Sequence, residues 1–263
     1  MYIILNHYLM LNVPEKGDIF KFLIFYNDVR TQIVLKGRIN IMSYRSVHKV
    51  VCPHCKKEYE VECYDTVNIT IDKELFNDFR NGKLFVEECK YCKQKYNYRR
   101  PLIYHDMEKK FIVYYVNSID MLEDAILELD EFKGKFNGIY KDYKLRIVVD
   151  SIIKFIEKVE VLTNRLDDRV IEVYKLIMAD NLKITEDQLF YIEFSKDMTD
   201  QRFTLIKENG VEEYFEFFKE CYDGMSEDLN ACDCFVKDDS YVVDYQYADN
   251  MLDKCDEETK SRN

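Results

Sequence analysis

The sequence predicts an α+β protein: a β-rich N-terminal unit that contains an inserted strand and helix, followed by an acidic unit of helices and strands. Between residues 47 and 116, apolar and polar side chains alternate with the period of two that is typical of strands. After residue 117 the apolar residues recur at helical spacing. We place the two units at residues 42–117 and 118–252, and a charged tail at 253–263.

Residues 1–41 precede these two units and carry signs of a segment that is not translated in the cell. Lys36-Gly37-Arg38 can be encoded by a purine-rich ribosome-binding sequence, and Met42 follows at the spacing of a translation start. Segments of this kind are set aside before a fold is predicted. We therefore predict that residues 1–41 are a non-native extension and that the protein starts at Met42.

Within the first unit, alternation predicts strands before and after each of two Cys-x-x-Cys turns. The predicted strands cover residues 47–51, 59–64, 67–72, 83–87, 96–100 and 110–116. A short helix is expected at 74–79, between Asp72, which can cap it, and the turn Asn81-Gly82. The strand at 67–72 and this helix form the insertion.

The second unit is predicted to begin with a helix over residues 121–129. A strand is expected at 146–149, helices at 152–162 and 166–178, a strand pair at 188–194 and 202–206, a helix at 211–221 and a final strand or extended segment at 240–245. Asp150 or Ser151 is expected to cap the second helix, and Asn164 the third.

Charge and cysteine content restrict the possible roles. Residues 42–117 carry 14 Lys and Arg against 11 Asp and Glu, whereas residues 118–263 carry 19 against 36, which disfavours general nucleic-acid binding. Nine cysteines without a secretory signal argue against a disulfide framework and favour the reducing cytoplasm. No apolar run reaches the roughly 18 residues of a membrane span, so no membrane association is expected.

Cys52, Cys55, Cys89 and Cys92 form two Cys-x-x-Cys pairs, each on a turn between strands. Such turns can aim two sulfurs each at one metal ion, and four thiolates are the ligand set of a structural zinc site. We therefore predict one structural Zn²⁺ in a zinc-ribbon-like unit. Because the interval between Cys55 and Cys89 is long, a sub-structure must be inserted between the two arms that carry the cysteine turns.

Other interpretations of the cysteines stay open. Cys52-Pro53-His54-Cys55 also occurs in thiol-redox enzymes, but there the motif begins a helix, whereas a strand is predicted here. A second metal site among Cys221, Cys232, Cys234 and Cys255 is the weaker alternative to free thiols, because these cysteines lack regular ligand spacing.

Two further motifs suggest alternative functions. His105-Asp106 could act as an acid–base pair, but on a strand the two side chains would point to opposite faces. Because no nucleophile or second base accompanies them, we favour a structural polar turn. The basic and aromatic stretch from Lys90 to Arg100 could bind nucleic acid, and the alternative is that it faces the acidic half of the chain.

Several segments resemble the bacterial CpXC-domain proteins, which take their name from two Cys-Pro-x-Cys turns. The resemblance is carried by residues 52–55, 64–70, 89–92, 101–107, 166–172 and 241–244, so it covers most of 42–252. It implies a zinc-ribbon-like module and no particular reaction. Lys90 occupies the position of the second proline, which bears only on the rigidity of that turn.

Together these features predict a cytoplasmic structural-zinc protein that acts as a protein-binding or adaptor module with an unidentified protein partner. We expect a binding role rather than catalysis, because a closed four-sulfur site leaves no position for a reactive water. The alternatives are thiol-redox catalysis through Cys52 and Cys55, acid–base catalysis through His105, and nucleic-acid binding through the stretch from Lys90 to Arg100.

Overall fold

A computed structural model describes residues 42–135, 140–185, 188–193, 201–206 and 212–262 of the chain. The strands are β1 (Tyr44–Val51), β2 (Glu58–Asn68), β3 (Val86–Glu88), β4 (Lys95–Asn97), β5 (Leu102–Asp106), β6 (Phe111–Val116), β7 (Lys144–Val149), β8 (Leu189–Glu193), β9 (Gln201–Ile206) and β10 (Glu212–Glu216). They form a five-stranded sheet in the order β1-β2-β5-β6-β7, an antiparallel sheet β10-β9-β8 and the small hairpin β3-β4. The large sheet is mixed, because the β2–β5 and β6–β7 pairs are parallel and the other two pairs are antiparallel.

Seven α-helices accompany these strands in the described part of the chain. They are α1 (Leu75–Arg80), α2 (Leu122–Lys135), α3 (Ile152–Thr163), α4 (Asp168–Leu182), α5 (Lys219–Asn230), α6 (Asp233–Val236) and α7 (Tyr245–Arg262). The chain is therefore a mixed α+β protein with a β-rich N-terminal region, as its periodicity predicts. None of the described helices is both long and apolar enough to cross a membrane.

The core lies on both faces of the large sheet, whose strand β6 is completely buried. On one face Tyr114 belongs to a cluster with Leu129 and Phe132 of α2. On the other, the ring of Tyr115 stacks on Phe155 of α3 with centroids 5.4 Å apart. This explains why β6 is a continuous apolar run, since a strand that is covered on both sides has no polar face.

A separate network of six buried charged side chains joins β7, α3 and α4. Its members are Arg146, Glu157, Lys158, Asp168, Glu172 and Lys175. The guanidinium of Arg146 donates to both carboxylate oxygens of Asp168, at 2.6 and 3.0 Å. Lys158 also donates to the carbonyl oxygen of Val243 at 2.7 Å, which ties the segment before α7 to the sheet. The three cations balance the three anions, so the charges are paired as burial requires.

Most predicted elements are present, but several differ in type or in length. Val67 and Asn68 complete β2 instead of forming a separate inserted strand, so the insertion consists of the end of β2, a turn and α1. Residues 83–85 form a 3-10 helix before β3. The cap of α4 is Asp167, whose carboxylate accepts a hydrogen bond from the backbone of Arg169, and not Asn164.

Larger errors fall near the C-terminus. The helix predicted at 211–221 is instead strand β10 followed by α5, because pairing with β9 outweighs the local helical spacing. Residues 240–245 are not a strand, although Tyr241 accepts a backbone hydrogen bond from Ile147. The predicted tail continues α7 to residue 262, and Cys255 within it is buried.

The predicted extension 1–41 lies outside the described residues, so the start at Met42 stays a prediction. The division at residue 117 also stays a prediction. The large sheet nevertheless includes strands from both sides of that position, because β7 pairs with β6 along its whole length.

Candidate metal centre

The first cysteine turn connects β1 to β2. Cys52 follows β1, its backbone N–H donates to the carbonyl of Lys57, and its carbonyl accepts from the N–H of Lys56, each at 3.0 Å. Lys56 adopts the left-handed conformation with φ of 61°, which reverses the chain within six residues. The N–H of Cys55 points at the sulfur of Cys52, 3.5 Å away. This turn therefore presents two sulfurs on the same side.

The second turn repeats the first between β3 and β4. The N–H of Cys89 donates to Gln94, and its carbonyl accepts from Lys93, at 3.0 and 2.9 Å. Lys93 has the same φ of 61° as Lys56. The substitution of lysine for proline at residue 90 therefore leaves this turn with the hydrogen bonds of the first.

The two turns face each other and bring four sulfurs together. Sγ of Cys52 lies 3.7 Å from Sγ of Cys92, and Sγ of Cys55 lies 3.7 Å from Sγ of Cys89. All four lie within 4.8 Å of one another, and no other group of three or more Cys, His, Asp or Glu in the described residues is so close. A metal bound tetrahedrally at about 2.3 Å from each sulfur requires sulfurs about 3.8 Å apart, whereas a disulfide requires about 2.0 Å.

Hydrogen bonding within the cluster treats its thiols unequally. Burial raises the pKa of Cys89, but the backbone N–H groups of Cys92 and Tyr91 outweigh it and bring the value to about 6. The N–H of Gln94 lowers the pKa of Cys92, but desolvation and contacts with the other three sulfurs raise it to about 11. The Cys89 thiolate thus forms readily, whereas Cys92 needs a bound cation to lose its proton at neutral pH.

Aromatic and cationic side chains surround the cluster. Tyr59 is buried behind it and shares a 2.7 Å hydrogen bond between its hydroxyl and that of Tyr96. Nζ of Lys57 lies 4.8 Å from the centre of the Tyr91 ring, and Nζ of Lys90 lies 5.6 Å from the centre of the Tyr59 ring. If the cluster binds a divalent metal, these lysines would offset the negative charge of the four thiolates.

The remaining cysteines stand apart from this centre. Cys63 is buried on β2, and burial raises its pKa to about 11, as expected of a structural thiol. Cys221 is exposed on α5. Sγ of Cys234 and Sγ of Cys255 lie 3.5 Å apart, but with Cys232 they do not reach the compactness of the four-sulfur group.

His105 and Asp106 lie on β5 and not in a turn, which corrects the prediction of a polar turn at these residues. His105 is buried with its ring nitrogens 3.4 Å from Asn68 and Tyr143, and burial lowers its pKa to about 3. The carboxylate of Asp106 accepts backbone hydrogen bonds from residues 108 and 109, so it caps the turn that follows. The two side chains serve separate structural contacts.

The stretch from Lys90 to Arg100 is only partly a surface. Arg100 is buried and donates to the carbonyls of Tyr64 and Leu84, so it holds the insertion against β2. Arg99 pairs with Asp150 at 3.2 Å. The cations left for a partner at this stretch are the lysines.

One constellation was not predicted from the sequence. Nε2 of His48 lies 2.8 Å from the carboxylate of Asp65 and 2.9 Å from the hydroxyl of Ser46. A nucleophile–base–acid relay needs the serine and the carboxylate on different ring nitrogens, and here both contact the same one. The cluster therefore fastens β1 to β2. In the sequence its only signal was the alternation of Ser46 and His48 at the start of one predicted strand, with Asp65 following the next.

The fold and the site define an α+β protein whose four-cysteine cluster is compatible with metal binding. Residues 50–175 match the family described as CpXC protein, and the chain carries a CpXC domain over these residues. The match includes both cysteine turns and ends within α4. Comparisons with curated proteins and with solved structures found no match.

Proposed function

We propose that Cys52, Cys55, Cys89 and Cys92 bind one structural Zn²⁺. The observation that carries this proposal is the separation of 3.7 Å between sulfurs from opposite turns, which is the edge of a tetrahedron around zinc. Four sulfurs fill the coordination sphere, so the ion holds β1, β2, β3 and β4 together and has no open position for a substrate.

The protein's role is proposed to be that of a binding or adaptor module in the cytoplasm. Strand β1 supports this role, because among the described strands it is an edge of the large sheet, and an edge strand can accept an added strand from a protein partner. Val47 and Val51 on its outer face are 63% and 58% exposed. The cytoplasmic location is supported by the nine cysteines, all of which are free thiols.

Thiol-redox catalysis by Cys52 and Cys55 has less support. Their turn lies between two strands, whereas the Cys-x-x-Cys motif of thiol-redox enzymes lies at a helix N-terminus. Nucleic-acid binding likewise has less support, because Arg99 and Arg100 are engaged within the protein.

Metal analysis with thiol titration tests the zinc proposal on freshly purified protein. We expect one zinc per chain and four thiols that become reactive only after a strong chelator is added. Absence of metal together with a readily formed Cys52–Cys55 disulfide would instead support the redox alternative.

A charge substitution tests the adaptor proposal separately. Val47→Lys with Val51→Lys is expected to lower the recovery of co-purifying proteins while the zinc content stays at one per chain. The matched control is Ile153→Lys, at an exposed position on α3 away from β1. Equal recovery with all three proteins would remove β1 from the binding surface.

A further inference from the structure

A second group of sulfurs lies far along the chain from the metal centre, between α6 and α7. Sγ of Cys234 is 3.5 Å from Sγ of Cys255, and Cys232 is the third cysteine beside them. Cys255 is buried, whereas Cys234 is partly accessible. None of these three cysteines belongs to the four-sulfur cluster.

Glu258 fixes the position of this pair. It lies one helical turn after Cys255 on α7, and its two carboxylate oxygens accept the backbone N–H groups of Asp233 and Cys234, each at 3.0 Å. The start of α6 is therefore fastened beside the turn of α7 that carries Cys255. Cys232 also interacts with Cys255, and its thiol donates to the carbonyl of Asp228 at 3.8 Å.

We propose that Cys234 and Cys255 are a redox-modification site, which a peroxide converts to one intramolecular disulfide between α6 and α7. The accessible thiol of Cys234 takes one oxygen from the peroxide, giving a sulfenic acid and one water. The thiol of Cys255 then attacks that sulfur, the S–S bond forms, and the sulfenic oxygen leaves as a second water. The two thiols lose two hydrogens and two electrons, and the peroxide is reduced to two waters.

Proximity favours the second step of this reaction. Burial raises the pKa of Cys255 and of Cys234, so neither thiol is an activated nucleophile at neutral pH. The sulfurs are nevertheless already held near contact, which replaces a bimolecular encounter by an intramolecular one. They must approach from 3.5 Å to about 2.0 Å, a change that the short helix α6 can accommodate.

The test treats the full-length, zinc-loaded protein with hydrogen peroxide, alkylates the remaining thiols and maps the digested peptides by mass spectrometry. We expect a peptide linking Cys234 to Cys255, with the loss of two hydrogens per chain, which a dithiol reductant reverses. Peptides with Cys52, Cys55, Cys89 and Cys92 are analysed separately, so that failure of the metal centre is distinguished from failure of this proposal.

Variants identify the pair. Cys234→Ser and Cys255→Ser are each expected to abolish the linked peptide, whereas Cys221→Ser, at an exposed position without a nearby sulfur partner for a disulfide, is expected to retain it. The linked peptide is first sought in the wild-type protein, so the test does not depend on whether the variants fold. The proposal is overturned if Cys255 links mainly to Cys232, or if Cys221 is oxidised while Cys234 and Cys255 remain alkylated.

Discussion

Cys55 and Cys89 place their sulfur atoms 3.7 Å apart although 34 positions separate them in the chain. Two strand pairs make this contact, because β1-β2 and β3-β4 each end in a cysteine turn with the same hydrogen bonds. The intervening residues complete β2 and form α1, whose Phe79 packs into the core beneath the large sheet. The insertion thus anchors the four-cysteine cluster to the rest of the fold.

Replacement of one ligand tests the role of the centre in stability. Cys89→Ser is expected to lose the zinc and to unfold the arms formed by β1, β2, β3 and β4, since zinc sites of this kind supply an apparent folding energy of about 10–16 kcal/mol. Calorimetry and metal analysis measure both effects. Cys221→Ser is the control, and an unchanged melting profile with full zinc content in Cys89→Ser would refute the ligand assignment.

The left-handed conformation of Lys56 predicts a stabilising substitution. A residue with a Cβ at φ of 61° is strained by about 1–2 kcal/mol, whereas glycine is not, although glycine loses about 0.5–1 kcal/mol through the entropy of the unfolded chain. Lys56→Gly is therefore expected to raise the free energy of unfolding by up to about 1.5 kcal/mol in chemical denaturation. Lys57→Gly, without positive φ, should lower it, and equal effects would contradict the explanation.

The Arg146–Asp168 pair predicts a large loss on substitution. Burial raises the pKa of Asp168, but Arg146 and Lys158 hold it well below its usual range. Asp168→Asn leaves the buried guanidinium without its counter-ion and should cost about 3–5 kcal/mol in the free energy of unfolding at pH 7. The control is Asp78→Asn, which removes an exposed pair with Lys83 and should cost less than about 1 kcal/mol.

This pair also predicts a pH dependence. The pKa of Asp168 in the folded protein lies below the unfolded value of about 4, so its stabilisation is present above that pH and is lost as the pH falls towards the folded value. The free energies of unfolding of wild type and Asp168→Asn should converge between pH 5 and pH 2 or so. A constant difference over this range would exclude the pair as the cause.

His105 predicts a second pH effect at milder acidity. Burial lowers its pKa to about 3, whereas the unfolded value is about 6.5, so the unfolded chain binds the proton first. Stability should fall below pH 6.5 by about 1.4 kcal/mol per pH unit from this residue alone. Between pH 7.5 and 5, His105→Gln should lose about 2 kcal/mol less than wild type in the free energy of unfolding measured by chemical denaturation, and equal losses would contradict this role of His105.

The sequence by itself determined the α+β class, the four cysteines that cluster, and the first four of the seven described helices. These features are local. Each cysteine turn is encoded within six residues, and in a helix such as α3, which Ser151 caps, the apolar residues recur at the helical period. Two identical turns identify a common centre without knowledge of the path between them, because a tetrahedral metal site requires both.

The tertiary structure alone decided which segments meet. Residues 212–216 form strand β10 because they pair with β9. Helix α7 extends through the predicted tail because Cys255 packs beside α6. The contact of Cys234 with Cys255 and that of Arg146 with Asp168 join residues 21 and 22 positions apart. The spacing of residues along the chain does not predict such contacts, because they depend on how the intervening segments fold.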